Sequence, residues 1–185
     1  MIVDITWGTR ARVWWDELPP CIFDCDSPFE HSVPAGRQAL SKGRLIGVEW
    51  VRPSAGPSNY GLLGLSYHPS NTHKARIRIP RLTGEGPVFS SNIAWRLEVV
   101  RAGLPEEFIP GIVDGVRCAA QQIAGLPAGE ITFCAAAHGE TGSSRKVFEF
   151  LAMGLIKMLE LEDDLVPEDK LKDLFDWDSG WNYRL

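Results

Sequence analysis

One stretch, Leu104 to Leu161, limits what this chain can fold into more than any other. Pro105 sits where a first helical turn tolerates proline, and Glu106 and Glu107 bring negative charge to the positive end of a helix dipole. Phe108, Ile112, Val116, Ala119 and Ile123 then recur at three- and four-residue spacing, the signature of one apolar helix face. Gly125 and Pro127 stop that helix. From Glu130 to Ala137 the residues are small, β-branched or aromatic, which predicts a strand with Ile131, Phe133 and Ala135 on one side. HGETGSSR turns the chain, and Thr141, Ser143 or Ser144 can cap the helix that follows. That second helix carries Val147, Phe148, Leu151, Gly154, Leu155, Met158 and Leu159 on one face. Two helices with a strand between them predict an α/β layer.

The remainder of the chain supplies strands. Ile2 to Trp15 predicts one or two, ended by Pro19-Pro20, and Pro34 to Ser41 a short helix. Leu45 to Val51 and Leu62 to Tyr67 predict a hairpin around the loop RPSAGPSNYG, Arg52 to Gly61. In Asn71 to Ile79, Lys74, Arg76 and Arg78 alternate with Ala75, Ile77 and Ile79, so one strand face is basic: a solvated face or an RNA contact. Thr83 to Pro87 reads as a turn and Ile93 to Val100 as a further apolar strand. After Leu161 the chain turns acidic. Leu171, Leu174 and Phe175 predict a short docking helix, with Trp177 and Trp181 pinning the tail.

Composition sets the outer bounds. With 185 residues, 44% hydrophobic and 23% charged, the chain suits one compact domain, 1–185. A net charge of -5 argues against general phosphate binding but leaves room for a local basic patch. Cys21, Cys25, Cys118 and Cys134 are scattered, and no set of four ligands accompanies Cys21, Cys25 and His31, so no metal site is expected. Asp4 and Arg10 interrupt any apolar leader, and no run approaches the ~20 apolar residues of a membrane span. A reduced, cytoplasmic protein without a membrane contact is the expectation.

HGETGSSR admits three readings. Its serines and threonine cap a helix; or its Gly-Ser turn binds an anion at the helix start; or it meets RNA. No GxxxxGK[ST] phosphate loop is present, since Lys146 does not follow a glycine, so GTP is not expected as a ligand. His138 beside Glu140 and the loop serines offers a base and a hydroxyl without a third orienting residue. The chain reads more as a binding protein than an enzyme, and no cofactor is expected.

The helix opening LPEEFIP, the segment GSSRKVFEF and the loop RPSAGPSNYG together resemble domain IV of bacterial translation elongation factor G, over roughly Leu45 to Leu161. Pro69 to Gly86 resembles an enlarged hairpin within that plan, and 1–44 and 162–185 read as extensions packed on it. The resemblance implies an α+β two-layer sandwich: a mixed, largely antiparallel sheet, two long helices on one face, and a left-handed βαβ crossover. It also implies a tip that meets the ribosome or structured RNA. The tip residues it points to are Arg52, Gly56, Asn59 and Tyr60 in the first loop. In the second they are His138, Gly139, Thr141, Ser143, Ser144 and Arg145. The alternatives are a phosphate- or small-molecule-binding protein using 138–145, conceivably catalytic, and a protein–protein module. The oligomeric state stays open.

Overall fold

The structure is a computed structural model. It describes residues 1–5, 8–21, 25–56, 58–82, 86–94, 96–161 and 167–177, with the backbone alone at 25–27 and 82. Trp181, the acidic run 162–166, the turn at 83–85 and the Cys25 side chain lie outside the described residues.

The described residues form a single mixed sheet: β1 (Ile2–Asp4), β2 (Arg10–Trp15), β3 (Cys25–Pro34), β4 (Arg44–Arg52), β5 (Asn59–Pro69), β6 (Lys74–Leu82), β7 (Val100–Ala102) and β8 (Gly129–Gly139). The helices are α1 (Ile109–Gln122), α2 (Arg145–Met158) and α3 (Glu168–Phe175). The strand order is β1-β2-β4-β5-β8-β6-β3, with β7 pairing the far end of β8. All pairings are antiparallel except β6 with β8, parallel neighbours joined by a connection that passes through α1. The α+β sandwich is therefore present. Residues 1–44 extend the sheet itself. They supply β1 and β2 at one edge of the sheet and β3 at the other.

Alternation decides the two faces. Ile46, Val48 and Trp50 of β4, Leu63, Leu65 and Tyr67 of β5, and Ile77 and Ile79 of β6 share one buried cluster with Ile112, Val116, Phe148, Leu151 and Leu155 of the helices. Val51, Tyr60 and Leu62 point the other way and join Phe89, Ile93 and Ala94 in a second cluster that contains no helical residue. Both long helices thus lie on one face. Strand β8 departs from strict alternation. Gly64 pairs with Ala135 but Leu65 with Phe133, leaving Cys134 as the extra residue of a bulge. Ala135 consequently joins the second cluster, while Ile131, Phe133 and Ala136 face the helices.

Helix α1 begins with a 3₁₀ turn, Glu106–Phe108, entered from Pro105, and Pro110 lies in its first α turn. Its predicted face is buried, with Ile109 added, except that Ile123 is only partly buried. Helix α2 is buried well beyond its predicted face, with Phe150, Ala152, Met153 and Ile156 also inside. The sheet lies beneath it, α1 on one flank and α3 on another. Phe175 of α3 fills the space left by Gly154, and Trp50 Nε1 donates to the Phe175 carbonyl at 3.1 Å. Trp177 stacks on Trp50 at 5.3 Å, as its predicted anchoring role requires. Phe175→Ala should therefore cost about 3–5 kcal/mol of unfolding free energy, read from urea denaturation followed by tryptophan fluorescence. A loss below about 1 kcal/mol would mean that α3 is not part of the cooperative core.

Three predicted elements are corrected. Pro34 to Ser41 forms no helix, because its backbone groups bond outward: Ala35 N–H to His73 O, Gly36 N–H to Leu126 O, and Arg37 O from Ala128 N–H. Within Ile93 to Val100, the described residues before Val100 form turns and no strand, and Val100 opens the three-residue β7. Asn92 Oδ1 accepts from Ala94 N–H at 2.9 Å and Glu49 Oε1 accepts from Ile93 N–H at 2.8 Å, so side chains take the donors a strand ladder needs. Pro69 to Gly86 is no hairpin on β5, since β8 lies between β5 and β6.

Candidate functional site

The β4–β5 hairpin is tighter than expected. Both strands run on to the Arg52–Asn59 pair, so the tip shrinks to the residues between them, of which 53–56 are exposed and Ser58 is buried. Asn59 is half-buried at the start of β5 and Tyr60 is fully buried. Tyr60 is thereby removed from any surface contact through its side chain, and its hydroxyl donates to Glu49 Oε1 at 2.8 Å. Gly56 lies exposed at the tip and Arg52 half-buried at its base.

The second loop leaves β8 at Gly139 and meets the first from the side. Tyr60 N–H donates to the Gly142 carbonyl at 3.1 Å. Ser143 Oγ donates to the Tyr60 carbonyl at 2.7 Å while accepting from Gly139 N–H at 2.9 Å. Ser144 Oγ accepts from Val147 N–H at 3.3 Å and caps α2. The capping reading of the loop is thus realised at Ser144, and Ser143 is committed to holding the two loops together.

Glu98, which the sequence reading passed over, sits where an anion would. Its Oε2 accepts from Gly142 N–H at 2.9 Å, from Thr141 N–H at 3.3 Å and from Thr141 Oγ1 at 3.5 Å, while Oε1 receives Ser58 Oγ at 3.5 Å. A Cβ at Gly139 or Gly142 would collide with this carboxylate. Those glycines are needed for its close approach, not for an unusual backbone angle. An external phosphate would have to displace Glu98 from these donors.

Beside the loops an open cleft of about 870 Å³ gathers His138, Gly139, Ser143, Ser144 and Arg145 with Arg101, Glu106 and Glu107. His138 Nδ1 donates to the Gly103 carbonyl at 3.0 Å, which leaves Nε2 as the acceptor of a neutral ring. Burial holds its pKa below the ordinary histidine value. The cations around the cleft are partnered: Arg101 with Glu140 at 2.7 Å, Arg145 with Asp114, Lys146 with Glu149 at 2.8 Å. Asp114 thus bridges α1 to the start of α2, and it also holds Arg117 at 2.8 Å. Away from the tip, the basic face of β6 is likewise compensated. Arg78 pairs with Glu30 at 3.0 Å and with Glu130 at 3.4 Å, and Arg76 with Glu130 at 3.8 Å, as a solvated sheet face would have it.

Behind the tip lies a buried polar cluster. Glu49, fully buried, accepts from Tyr60 and Ile93, while its Oε2 takes no hydrogen bond and has Arg12 Nη1 at 3.5 Å. Cys21 Sγ donates to the Ala136 carbonyl at 2.9 Å, and burial pushes the thiol up to about 12, so it stays protonated and unreactive. A single acid inside the apolar run Ile46 to Val51 was the available signal for this cluster; Glu98 had none.

No family model matches the chain, and no curated protein matches it. Among solved structures, the crystal structure of a protein from Thermus thermophilus is similar, with a TM-score of 0.42 and 16% identity over 70% of this chain. The match takes in 16% of that protein's own length, so this chain spans only a small part of it.

Proposed function

We propose that the protein is a binding module that engages structured RNA, the ribosome foremost, through the tip made by 53–56 and 140–144. The observation that supports this reading is the cross-bonding of two Gly/Ser-containing loops, distant in sequence, at one end of the sheet. Such a tip holds its shape without a ligand, so little ordering entropy opposes binding. Arg52 and Arg145 flank it, and arginine is a common partner of RNA backbone phosphates. With a net charge of -5, the contact is local and not a general affinity for polyanions. The reading needs no hydrolysis of nucleotide by this chain.

Co-sedimentation with ribosomes across a salt series tests it. Saturable pelleting should weaken with salt, and Arg52→Ala and Arg145→Ala should each reduce the logarithmic salt slope by about one. Absence of pelleting at low salt overturns the proposal. So does pelleting that neither variant changes.

A further inference from the structure

A second concavity lies on the helix side of the sheet, beyond the two-helix layer. The sheet extends past β8 to β6 and β3, whereas α1 and α2 pack on each other and leave the outer flank of α1 overhanging those strands. Under this overhang runs a trough of about 450 Å³. Its walls are Val33, Ile77, Val113, Val116, Ala120 and Leu126, and it is closed at one end where Gly36 and Gly125 meet backbone to backbone. The space exists because the facing residues are small. Where α2 covers β4 and β5, Phe148 and Phe150 fill the equivalent gap, whereas no described residue of that size lines this one. Val33, Val113 and Ala120 therefore stay only partly buried although they face other apolar groups.

Arg117 and His31 stand at the trough's rim with Gln121, and among the described residues no carboxylate lines it. Arg117 is held by Asp114 through Nη2 at 2.8 Å, which sets its guanidinium beside the rim while 68% of its side chain stays exposed. A concavity of roughly 300–1,000 Å³, mostly apolar with a few convergent polar groups, is the usual form of a small-molecule site. Arg117, whose side chain is 68% exposed beside its Asp114 partner, is the one fixed charge among the described lining residues and sets the sign of the head group.

We propose that this trough binds a small carboxylate with an apolar body, an acyl chain of medium length lying against Ile77, Val113, Val116 and Ala120 with its carboxylate at Arg117. The site is separate from the loop tip and does not depend on the tip's function.

Decanoate, titrated into the full chain and followed by amide NMR shifts, is the direct probe. Saturable shifts should appear at Ile77, Val113, Val116 and Ala120. Arg117→Ala should weaken binding about fivefold, as the loss of an exposed ionic contact would, and decanol should bind less tightly than decanoate by a similar factor. Ala120→Phe should abolish binding by filling the trough while leaving the remaining amide spectrum intact, and Val113→Phe provides a second filling variant from the same flank. The proposal is overturned if no saturable shifts occur at these residues or if the filling variants bind as the parent does. Equal binding of decanol and decanoate also overturns it, because the carboxylate would then contribute nothing. Concentration-dependent self-association that broadens these same residues, and is lost in Ala120→Phe, would replace the ligand with a second copy of the chain.

Discussion

Gly115→Ala is expected to destabilise the protein by about 2 kcal/mol, although alanine is the better helix former by nearly 1 kcal/mol in an open helix. The reason is the approach of α1 to α2. A Cβ at Gly115 would fall well inside contact distance of the Glu149 carbonyl oxygen and 3.0 Å from the Ala152 Cβ. Gly111, one turn earlier, meets the Arg145 carbonyl in the same way, and Ala119, one turn later, is fully buried. Small residues spaced by four thus form the stripe on which α2 rests, and the obstruction is main chain, which cannot rotate aside. Relief would require the two helices to separate and leave Phe108 and Phe148, stacked at 4.9 Å, less well packed. For a domain of this size the loss corresponds to a fall of about 4–8 °C in Tm. Gln121→Ala, at an exposed position of the same helix, should change Tm little. A rise in Tm for Gly115→Ala would mean that the helices do not approach this closely.

The second large effect concerns Glu49. Glu49→Ala should cost about 3–5 kcal/mol, because the Tyr60 hydroxyl and Ile93 N–H would be left buried without their acceptor and Arg12 without its counter-charge. Glu49→Gln keeps a carbonyl oxygen in place and tests the ionisation separately. Burial raises the Glu49 pKa from its ordinary 4.5, outweighing the opposing hydrogen bonds from Ile93 and Tyr60 and the charges of Arg12 and Arg10. The folded protein therefore holds this proton to higher pH than the unfolded chain does. The stability linked to that proton is fully present below about pH 4.5 and is lost as pH rises through the raised folded value. The difference in unfolding free energy between parent and Glu49→Gln should accordingly shift in favour of the glutamine variant as pH rises from about 4.5 through the raised folded value. A difference independent of pH would show that Glu49 is not perturbed by its burial.

Where local pattern and tertiary need coincide, the sequence was readable. The apolar periodicity of α1 and α2, the strands β4, β5 and β6 and the docking helix α3 lie where spacing placed them, and the cap falls on Ser144, one of the three candidates. Each of those elements buries a face that its own repeat defines. The errors fell where side chains or distant segments took over backbone hydrogen bonds. Asn92 and Glu49 turned Ile93 to Val100 away from a strand, and partners at His73, Leu126 and Ala128 drew Pro34 to Ser41 out of a helix. The bulge at Cys134, which moves Ala135 to the opposite face, leaves no mark on composition because both faces there accept alanine.

The candidate site divides in the same way. Sequence alone nominated the two loops, since Gly, Ser and Pro clusters mark exposed turns wherever they fall. It could not reveal that Tyr60 points inward, because a tyrosine beside a loop is equally at home on either face. Nor could it supply Glu98, whose partners Ser58, Thr141 and Gly142 lie 40 to 44 residues away on either side. The sequence by itself determined the three described helices and most strands, because those follow from spacing over a few residues, while the two-layer α+β class was what the resemblance implied. Only the tertiary structure decided the placing of β1–β2 and β3 at opposite edges, the union of the two loops around Glu98, and the trough beside α1. Each of these depends on which distant segments become neighbours, and short-range periodicity carries no record of that.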